Sequence, residues 1–195
     1  MTTLYTHAVA GLGIAALAAP RRMAWPYWCL AAALPVLPDL DAFSLTSSSS
    51  VWGHRGFTHS LAFALAAGLL AAALTGWYLR TGFWRLALVF FLVTASHALL
   101  DMATRGGSGV ALWWPLSDER VGSQSWGFIP LADIAMDWPD PRKSRALQAE
   151  LLYVWLPLAM VVTLTVFLRY RRAARGVTPC DQGDGGTPGR EAVRD

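Results

Sequence analysis

The sequence predicts an all-α fold: a polytopic helical bundle in a membrane, of about five transmembrane or membrane-embedded helices, with a long outer loop and a disordered carboxy-terminal tail. Three observations lead there. Of 195 residues, 54% are hydrophobic and only 15% charged, where a soluble domain carries about 25% charged residues. Apolar runs recur along the chain at lengths suited to membrane helices. Ten tryptophans and five tyrosines fit rings at headgroup depth. The net charge of +3 comes from clustered arginines and a single lysine, Lys143. No basic face is interleaved with aromatics, so nucleic-acid binding has no support.

The elements follow in order. Leu4–Ala19 is an Ala- and Gly-rich run closed by Pro20-Arg21-Arg22, and Ala24–Leu37 a second, closed by Pro38-Asp39-Leu40-Asp41. At 16 and 14 residues, they reach about 24 and 21 Å, short of a hydrocarbon core of about 30 Å. They span thinly or end inside a protein-lined cavity. Residues 42–53, with four consecutive serines, read as a loop. Thr58 is placed to cap the next helix, about Thr58–Tyr78, with Gly56 freeing the backbone before it. Apart from His59, that helix has no charged or titrating group in its apolar run. Arg80-Thr81-Gly82 turns the chain into a fourth span, Phe83–Leu100. Residues 101–150 are polar and broken by Gly, Pro and Trp. Leu151–Leu168 is the final span, and contains Pro157. Residues 1–172 are thus expected to be the membrane domain. Residues 173–195 have too little apolar content to fold and are expected to form a disordered cytoplasmic tail. The start lacks a basic stretch before its first apolar run, so a cleaved signal peptide is not expected. Cys29 and Cys180 fall in different settings, which argues against a disulfide.

Five spans and the positive-inside rule give an orientation. Ten of the sixteen basic residues, Arg21, Arg22, Arg80, Arg85, Arg169, Arg171, Arg172, Arg175, Arg190 and Arg194, fall on one side. The amino terminus is then outside and the carboxyl terminus cytoplasmic. That assignment makes no use of histidines. It nevertheless brings His7, Asp39, Asp41, His54, His59, His97 and Asp101 to the outer side at similar depth. Ionisable groups inside a membrane cost about 2.5–3.5 kcal/mol each at helix centre, and less near the ends.

The densest stretch is His54-Arg55-Gly56-Phe57-Thr58-His59-Ser60, which holds two of the chain's four histidines. Five residues apart, His54 and His59 would diverge by about 140° on one helix, so His54 is expected in the loop and His59 in the first turn, both facing one ion. His97-Ala-Leu-Leu-Asp101 stacks an imidazole and a carboxylate at i and i+4. Both can bind one cation, or Asp101 can orient the ring; a plain His–Asp hydrogen bond is the ordinary alternative. Asp39 and Asp41 repel each other unless a cation or shared proton intervenes, although Asp after Pro is also common in solvated turns. Four His and three Asp form an N/O donor set suited to zinc, or to manganese or iron. Seven candidates exceed the three protein ligands of a mononuclear catalytic zinc, leaving room for a second ion or for catalytic and orienting groups. Arg55 can clamp a phosphate or carboxylate oxygen, or is an ordinary loop charge. Thr104 and Ser60 can donate hydrogen bonds or cap helices. Asp133 and Asp137 read as loop structure.

In order, an early His, Leu-Pro-Asp-Leu-Asp, His-Arg-Gly-Phe-Thr-His-Ser, His-Ala-Leu-Leu-Asp and the following Met102–Pro115 stretch resemble the YdjM family of bacterial inner-membrane proteins, described as metal-dependent hydrolases. The resemblance covers about residues 5–116. It implies an inner-membrane hydrolase with His7, Asp39, Asp41, His54, His59, His97 and Asp101 as metal or active-site residues; Arg55 and Thr104 belong to the motif. A looser likeness to zinc phospholipases C, helical proteins with several His and Asp ligands, suggests a phosphoester.

The expected activity is hydrolysis of a lipid or lipid-linked ester by water on one or two divalent ions, with Asp41 as general base and Arg55 and Thr104 in the catalytic site. The alternative is a metal transporter or sensor built on the same cluster. Transport needs access from both faces, and the inner halves of the spans offer no polar steps except Arg85. A purely structural membrane protein leaves the shared depth of seven ionisable residues unexplained.

Overall fold

The computed structural model describes residues 2–19, 23–43, 50–105, 108–122, 127–130 and 141–175. They form helices α1 (Leu4–Ala18), α2 (Trp25–Ala33), α3 (Leu61–Leu79), α4 (Phe83–Met102), α5 (Pro141–Glu150) and α6 (Leu156–Arg175). Two short 3₁₀ turns, Leu37–Phe43 and Phe57–His59, stand before α3, and one π-turn, Leu151–Trp155, joins α5 to α6. Among the described residues no strand occurs, only isolated bridges at Thr104–Ile129 and Val110–Val121. The all-α bundle is as expected. Three helical stretches are long and apolar enough to cross a membrane, Leu61–Leu79, Phe83–Met102 and Pro141–Arg175, and α1 is a shorter apolar helix.

Small residues set the packing. A Cβ on Gly11 of α1 would stand 2.2 Å from the Ala31 carbonyl of α2, and one on Gly68 of α3 would stand 2.6 Å from the Phe91 amide of α4. Glycine at both points lets backbones touch, which replaces the hydrophobic drive that lipid removes between membrane helices. The buried core between them mixes five alanines with Tyr27, Leu34, Leu79, Leu86, Val89, Phe90 and Val93. Large apolar side chains point outward instead: Leu70, Leu74, Trp77, Trp84, Met160 and Leu164 are all exposed. No residue of α6 is buried. An outward apolar surface on hydrogen-bonded helices is what a bilayer requires.

The bundle has two unlike ends. At the C-terminal end of α1, Arg85 donates to the Ala18 carbonyl (2.9 Å) and Arg169 donates to Ala19 (3.2 Å) and Leu17, so two cations satisfy the orphan carbonyls and the negative end of the helix dipole. At the N-terminal end, the buried Glu150 accepts from the Thr3 amide (2.7 Å) and from the hydroxyls of Thr3 (2.5 Å) and Thr6 (2.6 Å). A carboxylate there complements the positive end of α1. Trp155 donates its indole N–H to Thr6 at 2.8 Å. Glu150 and Trp155 thereby dock the last helix onto α1.

Several boundaries differ from the sequence reading. Ser60, not Thr58, caps α3, accepting from the Phe63 amide at 3.1 Å. Thr58 instead donates its hydroxyl to Asp41, because the 3₁₀ turn ahead of α3 aims it there. The second run is helical only over Trp25–Ala33 and then tightens into turns that present Asp39. The last helix begins at Pro141, inside the expected loop, and runs to Arg175. Its π-turn directly precedes Leu156-Pro157 and widens the register where a proline cannot donate. The chain after Asp101 also folds back: Leu61 donates to the Leu112 carbonyl (3.0 Å) and Ala111 to that of Arg55 (3.1 Å). Asp133, Asp137, Cys180 and the expected tail from 176 onward lie outside the described residues.

Candidate metal centre

Three chain segments bring polar side chains to the N-terminal end of α1. The turn after α2 supplies Asp39, the 3₁₀ turn before α3 supplies His59, and one face of α4 supplies His97 and Asp101. All four are buried, and each offers an atom within 4.8 Å of every other. His97 Nε2 is 2.9 Å from His59 Nε2 and 3.5 Å from Asp39 Oδ1. His59 Nε2 is 3.9 Å from Asp39 Oδ1 and 3.7 Å from Asp101 Oδ2.

The tautomers follow from the outer nitrogens. His97 Nδ1 faces the Pro35 carbonyl at 2.6 Å, an acceptor only, so this nitrogen carries the proton. His59 Nδ1 lies 3.3 Å from Asp41 Oδ2 and 3.1 Å from the Thr58 oxygen. Thr58 has given its own proton to Asp41, so this Nδ1 is protonated too. Burial holds His59 below its ordinary pKa despite the nearby carboxylates, and its ring is neutral. Two imidazole lone pairs then meet at 2.9 Å with no proton between them. Both oxygens of Asp39 are buried without a hydrogen-bond partner, while the buried Oδ2 of Asp101 has the Arg55 Nε 3.1 Å away.

Such an arrangement is costly as it stands and is resolved by a cation. Metal–nitrogen bonds of about 2.0–2.1 Å put neighbouring ligands about 3.3–3.4 Å apart at the tetrahedral angle and about 2.9 Å apart at a right angle, so the two imidazoles need to separate by only a few tenths of an ångström to seat zinc. Burial, then repulsion from Asp101 and Asp41, raises the Asp39 pKa to about 8; a bound cation would reverse both influences. The donor set, two neutral imidazoles and two carboxylates of which Asp39 has both oxygens orphaned, fits zinc, manganese or iron.

A second layer supports the first. Burial alone would raise Asp41, but hydrogen bonds from His54 and His59 outweigh it, and Thr58 adds to them, leaving this carboxyl well below the usual range. His54 Nδ1 is 2.6 Å from Asp41 Oδ1 and the Arg55 amide donates to Oδ2 at 3.2 Å. His54, Asp41 and His59 form a second potential metal group, more open than the first. His7 stacks on His97 at 3.9 Å between ring centroids, with Nε2 2.7 Å from the Thr2 hydroxyl and 3.5 Å from Asp101. It flanks the four-residue group without joining it.

Arg55 is buried in the left-handed backbone region at φ 65°, uncommon for any residue but glycine. Gly56 makes that turn possible, since a Cβ there would stand 1.8 Å from the Val51 carbonyl. Arg120 reaches the Ser50 carbonyl (3.0 Å) and Gly109 carbonyl (3.4 Å) around the same turn. So held, Arg55 sets Nε 3.1 Å from Asp101 and donates to the Thr104 hydroxyl at 3.2 Å, while its remaining Nη1 is buried with no partner.

Residues 1–173 match the family described as YdjM inner membrane protein. The chain belongs to the YdjM family. It is similar to inner membrane protein YbcI of Escherichia coli (strain K12), 38% identical over 165 residues that cover 80% of this chain and 92% of that protein. No solved structure matches. The YdjM match continues through the segment after residue 116, where the motifs alone show no likeness. In this YdjM protein, a buried His/Asp group with the geometry to hold a metal ion thus lies at one end of an inner-membrane helical bundle.

All seven expected His and Asp residues gather at that end, in two linked groups with His7 alongside. Sequence reasoning missed Thr2, whose amide donates to Asp101 at 3.2 Å, and the Pro35 carbonyl that sets the His97 tautomer. It also missed Glu150. A lone carboxylate directly before an apolar run was a usable signal for Glu150; a backbone carbonyl leaves none.

Proposed function

We propose that this YdjM protein is a metal-dependent hydrolase of a lipid or lipid-linked ester, most simply a phosphoester, working at headgroup depth on the outer side of the inner membrane. Asp39, His59, His97 and Asp101 hold the ion, with zinc the best fit to the donor set. One ion is proposed, because a second on His54, Asp41 and His59 would need the His59 Nδ1 that carries a proton. The observation that carries the reading is the pair of facing imidazole lone pairs beside orphaned carboxylate oxygens. A divalent cation held there supplies Lewis acidity and a water of lowered pKa. The orientation with the amino terminus outside and the carboxyl terminus cytoplasmic rests on the arginines gathered at the opposite end of the bundle.

The chain's own groups divide the remaining work. Arg55 Nη1, buried and without a partner, donates to an anionic substrate oxygen. Thr104 and Asp101 hold that guanidinium in place. Asp41 accepts from His54, His59, Thr58 and the Arg55 amide and stays ionised, so it fixes the tautomers of both histidines and is poorly disposed to act as the general base. We assign the proton-accepting role to His54, the most exposed member of the cluster, whose Nδ1 is anchored on Asp41. His7, stacked on His97, closes the inner wall. Elemental analysis of detergent-purified protein, joined to a hydrolysis screen over lipid phosphoesters, tests the reading. Stoichiometric metal with metal-dependent release of a headgroup is expected; metal-free protein, or turnover untouched by a chelator, overturns it.

A further inference from the structure

The segment that folds back over the start of α3 ends in a tip with no charged or titrating side chain, Leu112-Trp113-Trp114-Pro115-Leu116. Its base is fixed: Leu112 is buried, accepts from the Leu61 amide at 3.0 Å and packs with Ala98 and Val110. Its far end is uncovered, with Leu116 91% and Trp113 51% exposed. The tip also carries part of a row of rings. Phe63 of α3 packs edge-on against Phe57 at 5.9 Å, and Phe57 packs against Trp114 at 5.8 Å and Trp52 at 5.2 Å. Trp52 is 61% exposed. Trp52 and Phe57 flank His54 and Arg55 in sequence, so the row runs from α3 over the turn that carries them beside the metal centre.

A second set of rings stands at the other end of α3, where Trp77 and Tyr78 of α3 and Trp84 of α4 are all exposed. From Leu61 to Trp77, α3 rises about 24 Å. First-turn amides point out of a helix end, so Leu112 and the tip lie beyond Leu61. The two sets of rings are therefore separated by about the 30 Å of a hydrocarbon core. Between them, α3 turns Leu65, Leu70 and Leu74 outward. Paired aromatic belts at this spacing mark the two faces of a bilayer.

We propose that Trp52, Phe57, Trp113, Trp114 and Leu116 form an interfacial anchor. It inserts into the lipid leaflet on the metal-centre side and seats the turn of His54 and Arg55 at the boundary between headgroups and acyl chains. The occupant is lipid rather than a partner protein, because the rings continue the lipid-facing surface of α3 and mirror the belt at its far end. Asp118 and Glu119, both exposed directly after the tip, set the depth: the tip enters, and the two carboxylates stay in water. Insertion is thus apolar rather than electrostatic. That a substrate is drawn from the same leaflet rests on the hydrolase reading; the insertion itself does not.

Spin-label accessibility of the full chain, reconstituted in phosphatidylcholine vesicles, tests it. In a Cys29→Ser/Cys180→Ser background, labels in Leu116→Cys and Glu119→Cys are compared by collision with oxygen and with a water-soluble nickel chelate. The label in Leu116→Cys should favour oxygen and report a depth of about 5–10 Å, and the label in Glu119→Cys should favour nickel. Added phosphatidylglycerol or high salt should change neither; a depth that depends on either overturns the apolar mechanism. Thermal unfolding qualifies each variant, and Trp113→Cys replaces Leu116→Cys where that variant does not fold. Equal nickel access at the two positions overturns the proposal, since the tip would then stand in water. So does a tip label shielded from both probes, or broadened by a second label close by, since a partner or a second copy would then cover the tip.

Discussion

Removing one imidazole from the buried group should weaken the metal-loaded protein far more than the metal-free one. Consider His97→Ala. Four ligands in a structural zinc site together contribute about 10–16 kcal/mol, roughly 3 kcal/mol each if shared equally, so losing one weakens binding by about two orders of magnitude. In the metal-free protein the same change removes one of two lone pairs held 2.9 Å apart in a buried site. That relief offsets part of the roughly 2–5 kcal/mol expected for truncating a buried side chain. The assay is elemental analysis after dialysis against a graded chelator, alongside thermal unfolding with and without metal. Wild type should gain about 2.7 kcal/mol at a hundredfold excess of free metal over Kd, and His97→Ala should gain far less at the same concentration. The double variant His59→Ala/His97→Ala should retain none. Full metal occupancy in that double variant would refute the reasoning, since nothing would remain of the argument from facing imidazoles. Asp41→Asn supplies a graded comparison: as an orienting residue it should cost about 10–100-fold in affinity.

The remaining predictions concern pH, anion binding and docking. With chelator present, the Asp39 carboxyl, raised to about 8, favours the folded state while protonated. Its contribution is complete below the ordinary carboxylate range and is lost as pH rises towards 8. His59, held low, contributes above pH 6.5 and loses that contribution as pH falls, so the Asp39 loss stands clear of His59 between about 6.5 and 8. Unfolding of the metal-free protein should there weaken by up to about 1.4 kcal/mol per pH unit, and Asp39→Asn should flatten the slope. Metal binding should release that proton, so that apparent affinity climbs up to about tenfold per pH unit until about pH 8, as read by titration in weakly buffered solution. Arg55→Lys, which keeps the charge but loses the fork, should lower turnover of any phosphoester the wild type hydrolyses by about a hundredfold while leaving metal content unchanged; an unaltered rate places the substrate anion elsewhere. Glu150→Ala strips three hydrogen bonds from the start of α1 and should cost about 3 kcal/mol or more in detergent unfolding.

Much of this was readable in the chain because membrane solvation is severe. Long apolar runs without charge could hardly be anything but spanning helices, and α3 and α4 begin and end within a few residues of the sequence boundaries. The site was readable for the same reason: His7, Asp39, His59, His97 and Asp101 are polar groups at apolar run ends, where they must be partnered. Sequence periodicity does not carry the finer division into layers. Nothing in the spacing of His54 and His59 tells that one imidazole turns inward and the other stays with Asp41, because that depends on the left-handed turn at Arg55, which carries no glycine to announce it. The segment from 103 to 122 read as an outer loop because its polar residues and glycines follow no period. Besides the side-chain bonds of Thr104 and Arg120, it is held by backbone bonds to Arg55 and Leu61, and backbone carries no sequence signature. Nor did composition reveal that α5 continues into the last span, since Pro141–Glu150 is polar on every side but the one that buries Ala146 and Glu150.

The depth of the cluster bears on which chemistry it serves. A carrier must hand its ion from one face to the other, and a path through hydrocarbon needs polar groups at intervals along it. Below His97 on α4, the buried polar residues with described bonds, Thr94 and Ser96, spend their hydroxyls on the Phe90 and Val93 carbonyls of their own helix. The core beneath is alanine, Phe90, Val93 and Leu86. At the far end Arg85 and Arg169 are committed to the carbonyls of α1, and their positive charge would repel a cation arriving there. The ligands are therefore concentrated at one end of a dry bundle, next to a half-exposed His54 and an Arg55 donor pointed at no protein acceptor. A device for passing cations has no use for a buried guanidinium that keeps its Nη1 donor free beside the binding site. One for cleaving an anionic ester does.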